Sequence, residues 1–334
     1  MTQPISKAYA LATVFVLFLT TLTEAQPTTS ANLQEAARLH TQAVQLFNQG
    51  NYDEALPLAK KSVEIRGKEL KSDDHLLAIS YQNLAHIYRA KRKYDLAEKF
   101  FRLTLKVEEK RLGTDHSDLY DLIVNIAWVC HGQGNTREAE KLLKQALGIK
   151  EKHRDANHEE VVEALYYLAQ FYQKIGSPEK SVPFYQRMIA AREKTFGEFS
   201  NAVKESVEQC ACALQQDRKI AEADKLWERA RLIDRKLKPE YEQASQGILT
   251  GYAIKKVQPA YPESARGTGT SGAVMIKVIV DKAGKVIEAK PLCGPDLLIR
   301  AAEDAARQWV FAPTKVNGQA VKVQGVLTFN FTLR

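Results

Sequence analysis

The chain has 334 residues, of which 45% are hydrophobic and 26% are charged, and its formal net charge is +8. This length allows two or more domains with a sizeable core, and the composition is that of a soluble protein. Most of the excess positive charge follows Gly251, but its lysines and arginines are scattered without a basic run. That scatter argues against a nucleic-acid partner and favours a solvated basic face.

The first 25 residues have the pattern of a secretory signal. Lys7 precedes an apolar run from Ala8 to Leu22, and Ala25 stands at the cut site before Gln26. As a helix this run would span ~22 Å, which is shorter than the ~30 Å hydrocarbon core of a membrane. We therefore expect an exported chain cleaved after Ala25, with an uncleaved inner-membrane anchor as the alternative.

Small residues then recur at a spacing of 42 positions along most of the chain. They fall at two registers, namely Ala43, Ala85, Ala127, Ala169 and Ala211, followed by Ala55, Ala97, Ala139, Ser181 and Ala223. Larger apolar residues flank each register at helical spacing, and turn residues separate the two stripes. Each copy is predicted to be a helical hairpin whose axes approach closely at the small residues, and five stacked copies would share one core.

This pattern resembles the tetratricopeptide repeat (TPR), in the 42-residue form found in kinesin light chains. Asn83-Leu84-Ala85 followed by Tyr94-Asp95-Leu96-Ala97 is the clearest copy. The resemblance implies an all-α TPR solenoid of five repeats over residues 33–238. It also implies a concave surface that binds a protein or peptide.

Residues off the core stripe of each first helix should line that concave surface. The predicted peptide groove consists of Gln82, Asn83, His86, Arg89, Asn125, Trp128, Tyr167 and Gln170. Asn83 and Asn125 share a register at which, by resemblance to peptide-binding TPR domains, an Asn holds the backbone amide of the ligand. A carboxamide suits this role because it donates and accepts hydrogen bonds at once. The alternative is that both residues only cap or solvate a helix surface.

Histidines and cysteines are not predicted to form a metal or redox site. The connectors hold three histidines one repeat apart: His75, His116 and His158. Helix packing would separate them by ~10 Å, which is too far for a shared ion. Cys130 and Cys210 occupy core registers, and Cys210 and Cys212 point to different faces of one helix. With Cys293, the four cysteines are expected to form no disulfide framework.

Residues 239–250 are predicted to be a polar linker, after which the period changes from that of a helix to that of strands. Residues 273–280 and 285–289 alternate apolar and polar positions around a turn, residues 296–308 have a helical pattern, and residues 321–333 alternate again. Residues 251–334 are therefore predicted to form a small α+β domain with the order ββαβ.

This second half resembles the C-terminal domain of TonB, the periplasmic energy transducer of Gram-negative bacteria. The matching residues include Tyr261-Pro262, Gly272, Asp281, Gly284, Arg307, Trp309, Phe311 and Asn317-Gly318. In that family the last strand is a sheet edge to which an outer-membrane transporter adds a strand. The resemblance implies such an edge at Val326, Leu327, Thr328, Phe329, Asn330 and Phe331. Pairing within the domain or in a dimer is the alternative.

The two halves together predict an exported cell-envelope scaffold in the periplasm. Its groove would bind a protein or peptide, and its TonB-like domain would bind an envelope partner, such as an outer-membrane TonB-dependent transporter, by strand addition. One alternative is a TonB-type energy transducer for outer-membrane transport, anchored by Ala8 to Leu22, and another is an enzyme regulator that acts through the repeats alone. Because no GxSxG, HExxH or P-loop motif occurs, we predict neither enzymatic activity nor a cofactor.

Overall fold

The computed structural model describes residues 31–237, 242–243, 252–316 and 318–333. The predicted signal at residues 1–25 lies outside these ranges, and so does the predicted linker at 239–250 apart from Glu242 and Gln243. The chain divides into two compact units, residues 1–72 and 73–334. The described part of the first unit is one helical hairpin, α1 (Ala31–Asn48) and α2 (Tyr52–Glu69).

The second unit begins with four more helical hairpins. Their helices are α3 (His75–Ala90), α4 (Tyr94–Leu112), α5 (Tyr120–Gly132), α6 (Thr136–His153), α7 (Glu159–Lys174), α8 (Pro178–Phe196), α9 (Asn201–Gln216) and α10 (Ile220–Leu237). A 3₁₀ turn at Ser117–Leu119 precedes α5. Each hairpin also packs against the next one, so the stack is continuous from α3 to α10.

The ten small residues of the two sequence registers are all buried, with exposed fractions of at most 1%. A methyl or hydroxymethyl group at these positions lets the two helix axes approach closely. Large side chains such as Phe101 and Tyr185 then interlock beside them and are themselves almost fully buried. The predicted helical hairpins are confirmed.

One turn position in every hairpin has a left-handed backbone. These positions are spaced 42 residues apart and have φ between 56° and 83°: Gly50, Arg92, Gly134, Gly176 and Arg218. The next amide donates back across the turn, as Lys93 N does to Tyr88 O at 2.9 Å, which is the hydrogen bond of a Schellman cap. Glycine adopts this backbone freely, whereas an arginine there is strained.

A small α+β domain follows the helices. Its elements are β1 (Glu242–Gln243), β2 (Ala253–Lys255), α11 (Glu263–Gly267), β3 (Gly272–Val280), β4 (Val286–Cys293), α12 (Asp296–Ala306), β5 (Val310–Phe311), β6 (Lys315–Val316), β7 (Gln319–Ala320) and β8 (Val323–Phe331). The main sheet has the order β1-β8-β3-β4. Helix α12 covers one face of it, where Leu298 and Ala302 join Val274, Leu327 and Phe329 in the core. The predicted ββαβ order is confirmed, with short strands added.

The prediction that the cysteines form no disulfide is wrong. Cys212 of α9 and Cys293 at the end of β4 are bonded to each other. Cys130 and Cys210 are free and fully buried, in agreement with their predicted role as core residues. The bond could not be predicted from the sequence, because its two cysteines are 81 residues apart. Only the docking of the C-terminal domain on the solenoid brings them together.

None of the helices in the described ranges combines the length and the hydropathy that a membrane crossing requires.

Candidate functional site

The predicted groove residues divide into a buried set and an accessible set. Asn83, His86 and Asn125 are at most 9% exposed. The side chains of the accessible set are partly exposed; the set consists of Gln82, Arg89, Trp128, Tyr167 and Gln170. Only this second set offers side-chain surface to a ligand.

Asn125 uses both ends of its carboxamide within the protein. Its Oδ1 accepts a hydrogen bond of 2.6 Å from Arg89 Nη1, and its Nδ2 donates to Asp121 O at 2.8 Å. The side-chain nitrogen of Asn83, Nδ2, is by contrast buried and has no hydrogen-bond partner within the described ranges. The two asparagines that share a sequence register therefore differ in their hydrogen bonding.

His86 packs edge-on against Phe101, with ring centroids 5.0 Å apart. Burial, assisted by the positive charge of Arg89, lowers the pKa of His86 to about 3. The imidazole is therefore neutral at physiological pH. In this state it contributes to the packing of the hairpin rather than to the charge of the groove.

An aromatic stretch continues the groove toward the fourth hairpin. The Trp128 ring lies 5.8 Å from His131 and 6.5 Å from Phe171 between ring centroids. Tyr166 and Tyr167 follow on α7, and Gln170 donates to the hydroxyl of Tyr166. Partly exposed aromatic rings beside a carboxamide can contact both the apolar and the polar parts of a peptide.

Gln170, the last of the predicted groove residues, lies opposite the C-terminal domain. A cavity of about 1030 Å³ lies between α7 and α9 on one side and, on the other, the segment from Pro291 to Asp296 that joins β4 to α12. Gln170 lines it together with the Cys212–Cys293 disulfide, and Lys174 Nζ forms an ion pair of 2.7 Å with Asp296 at its rim. Gln170 thus faces the C-terminal domain as well as the solenoid.

A second periodic feature, which the sequence analysis missed, explains how the domain is docked. One position near the end of each second helix carries a charged side chain every 42 residues: Arg66, Glu108, Lys150, Arg192 and Asp234. Four of these five are at most 9% exposed, and the side chain of Arg192 is 14% exposed. The sequence did contain a signal for this feature, because a charged residue occurs at the same register in all five repeats.

Two of these residues, Lys150 and Arg192, connect their own hairpin to the next one. Lys150 lies over the Tyr120 ring of its own hairpin at 4.5 Å and pairs with Glu160 of the next hairpin at 2.7 Å. Arg192 likewise bonds Glu159 of its own hairpin at 2.6 Å and Ser206 of the next at 3.1 Å. The charges of Lys150 and Arg192 are therefore paired on both sides.

Asp234 repeats this arrangement with the sheet in place of a sixth hairpin. It accepts from Lys204 Nζ of α9 at 2.9 Å, and from Lys277 Nζ of β3 and Gln324 Nε2 of β8 at 2.6 Å each. Burial acts to raise the pKa of Asp234, but Lys277 and Lys204 outweigh it and the pKa is lowered. The C-terminal domain thus occupies the position of the next repeat and caps the solenoid.

One side of the main sheet, at β4, is obstructed for strand addition. On β4, Arg307 Nη2 donates to the carbonyl of Ala289 at 3.1 Å, and Pro291 has no N–H to offer. Both features block strand addition at that side. On β8, the described residues of β1 pair in parallel with Val323 and Gln324.

The predicted edge residues of β8 divide by face. Leu327, Phe329 and Phe331 are at most 4% exposed and belong to the core with α12, whereas Asn330 is exposed. Their side chains stabilise the domain, so only the main chain of this segment could pair with a partner. Deleting it would therefore destroy the domain rather than test the edge.

Within the described ranges no group of three or more His, Cys, Asp or Glu residues could hold a metal ion.

Two family models match the sequence. The model for the C-terminal part of the Gram-negative bacterial TonB protein matches residues 257–333, and the tetratricopeptide-repeat model matches residues 35–110 and 77–152. The chain carries TPR repeats and a TonB C-terminal domain. Both are protein-interaction folds rather than enzymatic ones, and the TonB domain is associated with the cell envelope.

Solved structures agree with the TPR assignment. The nearly identical TPR-like repeats of a Podosopora anserina protein assigned as a kinesin light chain superpose with a TM-score of 0.56 at 24% identity, covering 63% of this chain and 99% of that one. The apo form of RapI superposes with a TM-score of 0.50 at 9% identity, covering 62% and 72%. At these identities the likeness concerns the fold alone. No curated protein matches the sequence.

Proposed function

We propose that this TPR–TonB protein is an exported scaffold of the cell envelope. Its TPR groove binds a protein or peptide through the accessible set of groove residues. Its C-terminal domain binds an envelope partner, such as an outer-membrane TonB-dependent transporter, by adding a strand to β8. The TPR repeats and the TonB domain support interaction and envelope association as the general role.

The obstruction of the β4 side carries the proposal for β8. Strand addition needs a row of main-chain N–H and C=O groups that a partner can reach. Arg307 and Pro291 block that row on β4. A partner strand would instead pair with β8 at Val326 to Phe331.

The disulfide supports export. Bonds such as that between Cys212 and Cys293 form and persist in oxidising compartments, including the bacterial periplasm, and are rare in the cytosol. The signal pattern that ends at Ala25 supports the same location. N-terminal sequencing of the protein purified from cells should give Gln26 as the first residue, whereas retention of Ala8 to Leu22 would favour the anchored energy transducer.

Site-specific photo-crosslinking in cells tests both surfaces. A benzoylphenylalanine at Asn330 should form adducts with an envelope protein, and the same group at Ile287 on the blocked strand β4 is the matched control. A second pair compares Trp128 in the groove with Leu103, which is exposed on α4. The proposal predicts adducts from Asn330 and from Trp128 with different partners.

The pattern of adducts distinguishes the alternatives. An adduct of twice the protein mass from Asn330 would indicate a dimer through β8 instead of a separate partner. Equal adducts from Asn330 and Ile287 would refute selective strand addition. Adducts from Trp128 alone would leave the enzyme-regulator alternative, in which the repeats act without the C-terminal domain.

A further inference from the structure

The Cys212–Cys293 disulfide lies in the wall of a cavity. Both cysteines line the cavity of about 1030 Å³ between α7, α9 and the segment that joins β4 to α12. Each of them is 7% exposed, whereas the free Cys130 and Cys210 are fully buried. Small-molecule sites in proteins typically have volumes of about 300–1,000 Å³. The cavity is therefore large enough to admit a small reactant to the disulfide.

A reactant for this disulfide has to come from outside the chain. Disulfides exchange when a thiolate attacks one of the two sulfurs. Burial raises the pKa of the Cys130 thiol and that of the Cys210 thiol to about 11, so both stay protonated at neutral pH. Neither of them lines the cavity. The two free cysteines are therefore unsuited to supply the attacking thiolate in the folded protein.

The two sulfurs of the disulfide differ in their surroundings. Gln216 Nε2 donates to Cys212 Sγ with a nitrogen–sulfur distance of 3.7 Å. Gln216 Oε1 accepts from Gln173 Nε2 at 3.4 Å, and Gln173 Oε1 accepts from the Tyr185 hydroxyl at 2.8 Å, so this donor is held in place. No donor reaches Cys293 Sγ from the part of the chain that the structure describes. Because a hydrogen bond stabilises a thiolate, Cys212 is the better leaving group and Cys293 is the sulfur open to attack.

The charges around the cavity favour an anionic reactant. Two cations line it, Lys174 and Arg218, against the single carboxylate of Asp296. Lys174 and Asp296 pair with each other at 2.7 Å, which leaves the exposed Arg218 as the excess charge. Asp296 also begins α12, and its charge offsets the attraction of that helix N-terminus for a thiolate on the nearby Cys293. A thiol that carries a carboxylate matches this balance of charges.

We infer that Cys293 is a site of thiol–disulfide exchange for a small thiol that carries a carboxylate. The thiolate of the reactant attacks Cys293 Sγ, the bond between the two cysteine sulfurs breaks, and its electron pair leaves with Cys212 Sγ. Gln216 donates to the departing thiolate, which then takes a proton from water. The products are a mixed disulfide on Cys293 and a free thiol at Cys212. One disulfide replaces another, so the step needs no further oxidant or reductant.

The exchange acts on the docking of the C-terminal domain. It removes the covalent link between α9 and β4, while the ion pairs of Asp234 with Lys204 and Lys277 remain. Attack of the Cys212 thiolate on the mixed disulfide reverses the step and restores the link. The inference concerns this interface alone, so it goes beyond the proposed binding of partners and does not depend on it.

Exchange kinetics on the full, folded chain test the inference. The protein is incubated with reduced glutathione, excess N-ethylmaleimide blocks the free thiols at set times, and tandem mass spectrometry of peptides locates both groups. We expect glutathione on Cys293, N-ethylmaleimide on Cys212, and a rate that rises in proportion to the glutathione concentration. Glutathione on Cys212 would overturn the inference. So would a rate that does not depend on glutathione, because the bond would then react only after the protein unfolds.

Two glutamine variants test the choice of sulfur. Gln216→Ala should slow the exchange about tenfold, because the departing thiolate of Cys212 loses its hydrogen-bond donor. Gln209→Ala is the matched control. Gln209 lines the same cavity, but its Oε1 has no hydrogen-bond partner within the described ranges, so its removal should leave the rate unchanged. Equal rates in the two variants would contradict the assigned leaving group.

Two arginine variants test the preference for an anionic thiol. Arg218→Gln should slow the reaction with glutathione about threefold and leave the reaction with cysteamine, which has no carboxylate, unchanged. Arg92→Gln makes the same change at the equivalent turn of another hairpin, outside the cavity, where φ is 56° compared with 61° at Arg218. It should affect neither thiol. Equal slowing of both thiols by Arg218→Gln would show that no carboxylate is recognised.

Discussion

Cys212 and Cys293 join the last helical hairpin covalently to the C-terminal sheet. Their Cα atoms are 5.6 Å apart although 81 residues separate them in the chain. The bond lies in the same interface as the Asp234 cluster and the Lys174–Asp296 ion pair. A covalent bond across this interface favours a C-terminal domain that stays docked on α9 in an oxidising compartment.

Removing the disulfide should destabilise the protein. Cys212→Ser combined with Cys293→Ser is expected to lower the free energy of unfolding by about 2–4 kcal/mol, because a cross-link between distant residues restricts the unfolded chain. Guanidinium denaturation of the variant and of the wild type, each with and without dithiothreitol, measures this difference. The reductant should lower the stability of the wild type only.

Thiol titration of the unfolded chain checks the pairing itself. Without reductant we expect two reactive thiols, from Cys130 and Cys210, and with reductant all four. A variant with Cys130→Ala and Cys210→Ala should show no reactive thiol before reduction. Four thiols in unreduced, freshly purified protein would contradict the disulfide.

Asp234→Asn should be strongly destabilising. It removes the negative charge between Lys204 and Lys277, and breaking a buried ion pair in this way typically costs about 3–5 kcal/mol. Asp224→Asn, an exposed change on the same helix, should alter stability by less than about 0.5 kcal/mol. Urea denaturation of both variants gives the comparison, and similar effects would mean that the buried cluster contributes little.

The ion pairs of Asp234 also predict that the stability of the protein decreases at low pH. The folded-state pKa of Asp234 is lowered because Lys277 and Lys204 outweigh burial. Its contribution to stability is therefore complete above the unfolded-state pKa of about 3.9 and is lost as the pH falls through the folded-state value. Asp234→Asn should lack this part of the acid transition in denaturation curves recorded from pH 6 downward.

His86 predicts a second loss of stability, which begins at higher pH. Its pKa is lowered to about 3, so between that value and the unfolded-state value of about 6.5 the unfolded chain binds a proton that the folded chain does not. Stability should decrease as the pH falls through this range, by up to about 1.4 kcal/mol per pH unit. His86→Leu should flatten the slope, whereas the neighbouring Asn83→Leu, which removes no titrating group, should leave it unchanged.

Arg92→Gly should stabilise the second hairpin. Arg92 is exposed and has φ 56° at a turn where Gly50, Gly134 and Gly176 occupy the equivalent positions. Relief of the left-handed strain is expected to raise the free energy of unfolding by about 1 kcal/mol. Gly134→Arg is the reverse change and should lower it by a similar amount. Thermal unfolding of both variants measures the difference, and a destabilised Arg92→Gly would show that the arginine side chain makes a contact that outweighs the strain.

Periodicity explains why the helical part could be predicted and the groove only in part. The small residues at Ala85 and Ala97 can pack only one way in a helical hairpin, so their spacing fixed the pairing of helices. The same spacing predicted Asn125 on the concave side but could not show that Arg89 and the Asp121 carbonyl engage its carboxamide. That engagement depends on side-chain conformations that no sequence period encodes.

The amino-acid sequence by itself determined the five helical hairpins and the ββαβ order, because both follow from local hydrophobic periods that repeat along the chain. Only the tertiary structure decided how these parts combine in the second unit: Cys293 reaches Cys212, the sheet takes the place of a sixth hairpin at Asp234, and a cavity opens between α9 and the end of β4. These contacts join residues that are 43 to 90 positions apart. Long-range contacts of this kind arise from the shapes and charges of folded surfaces, which local patterns do not record.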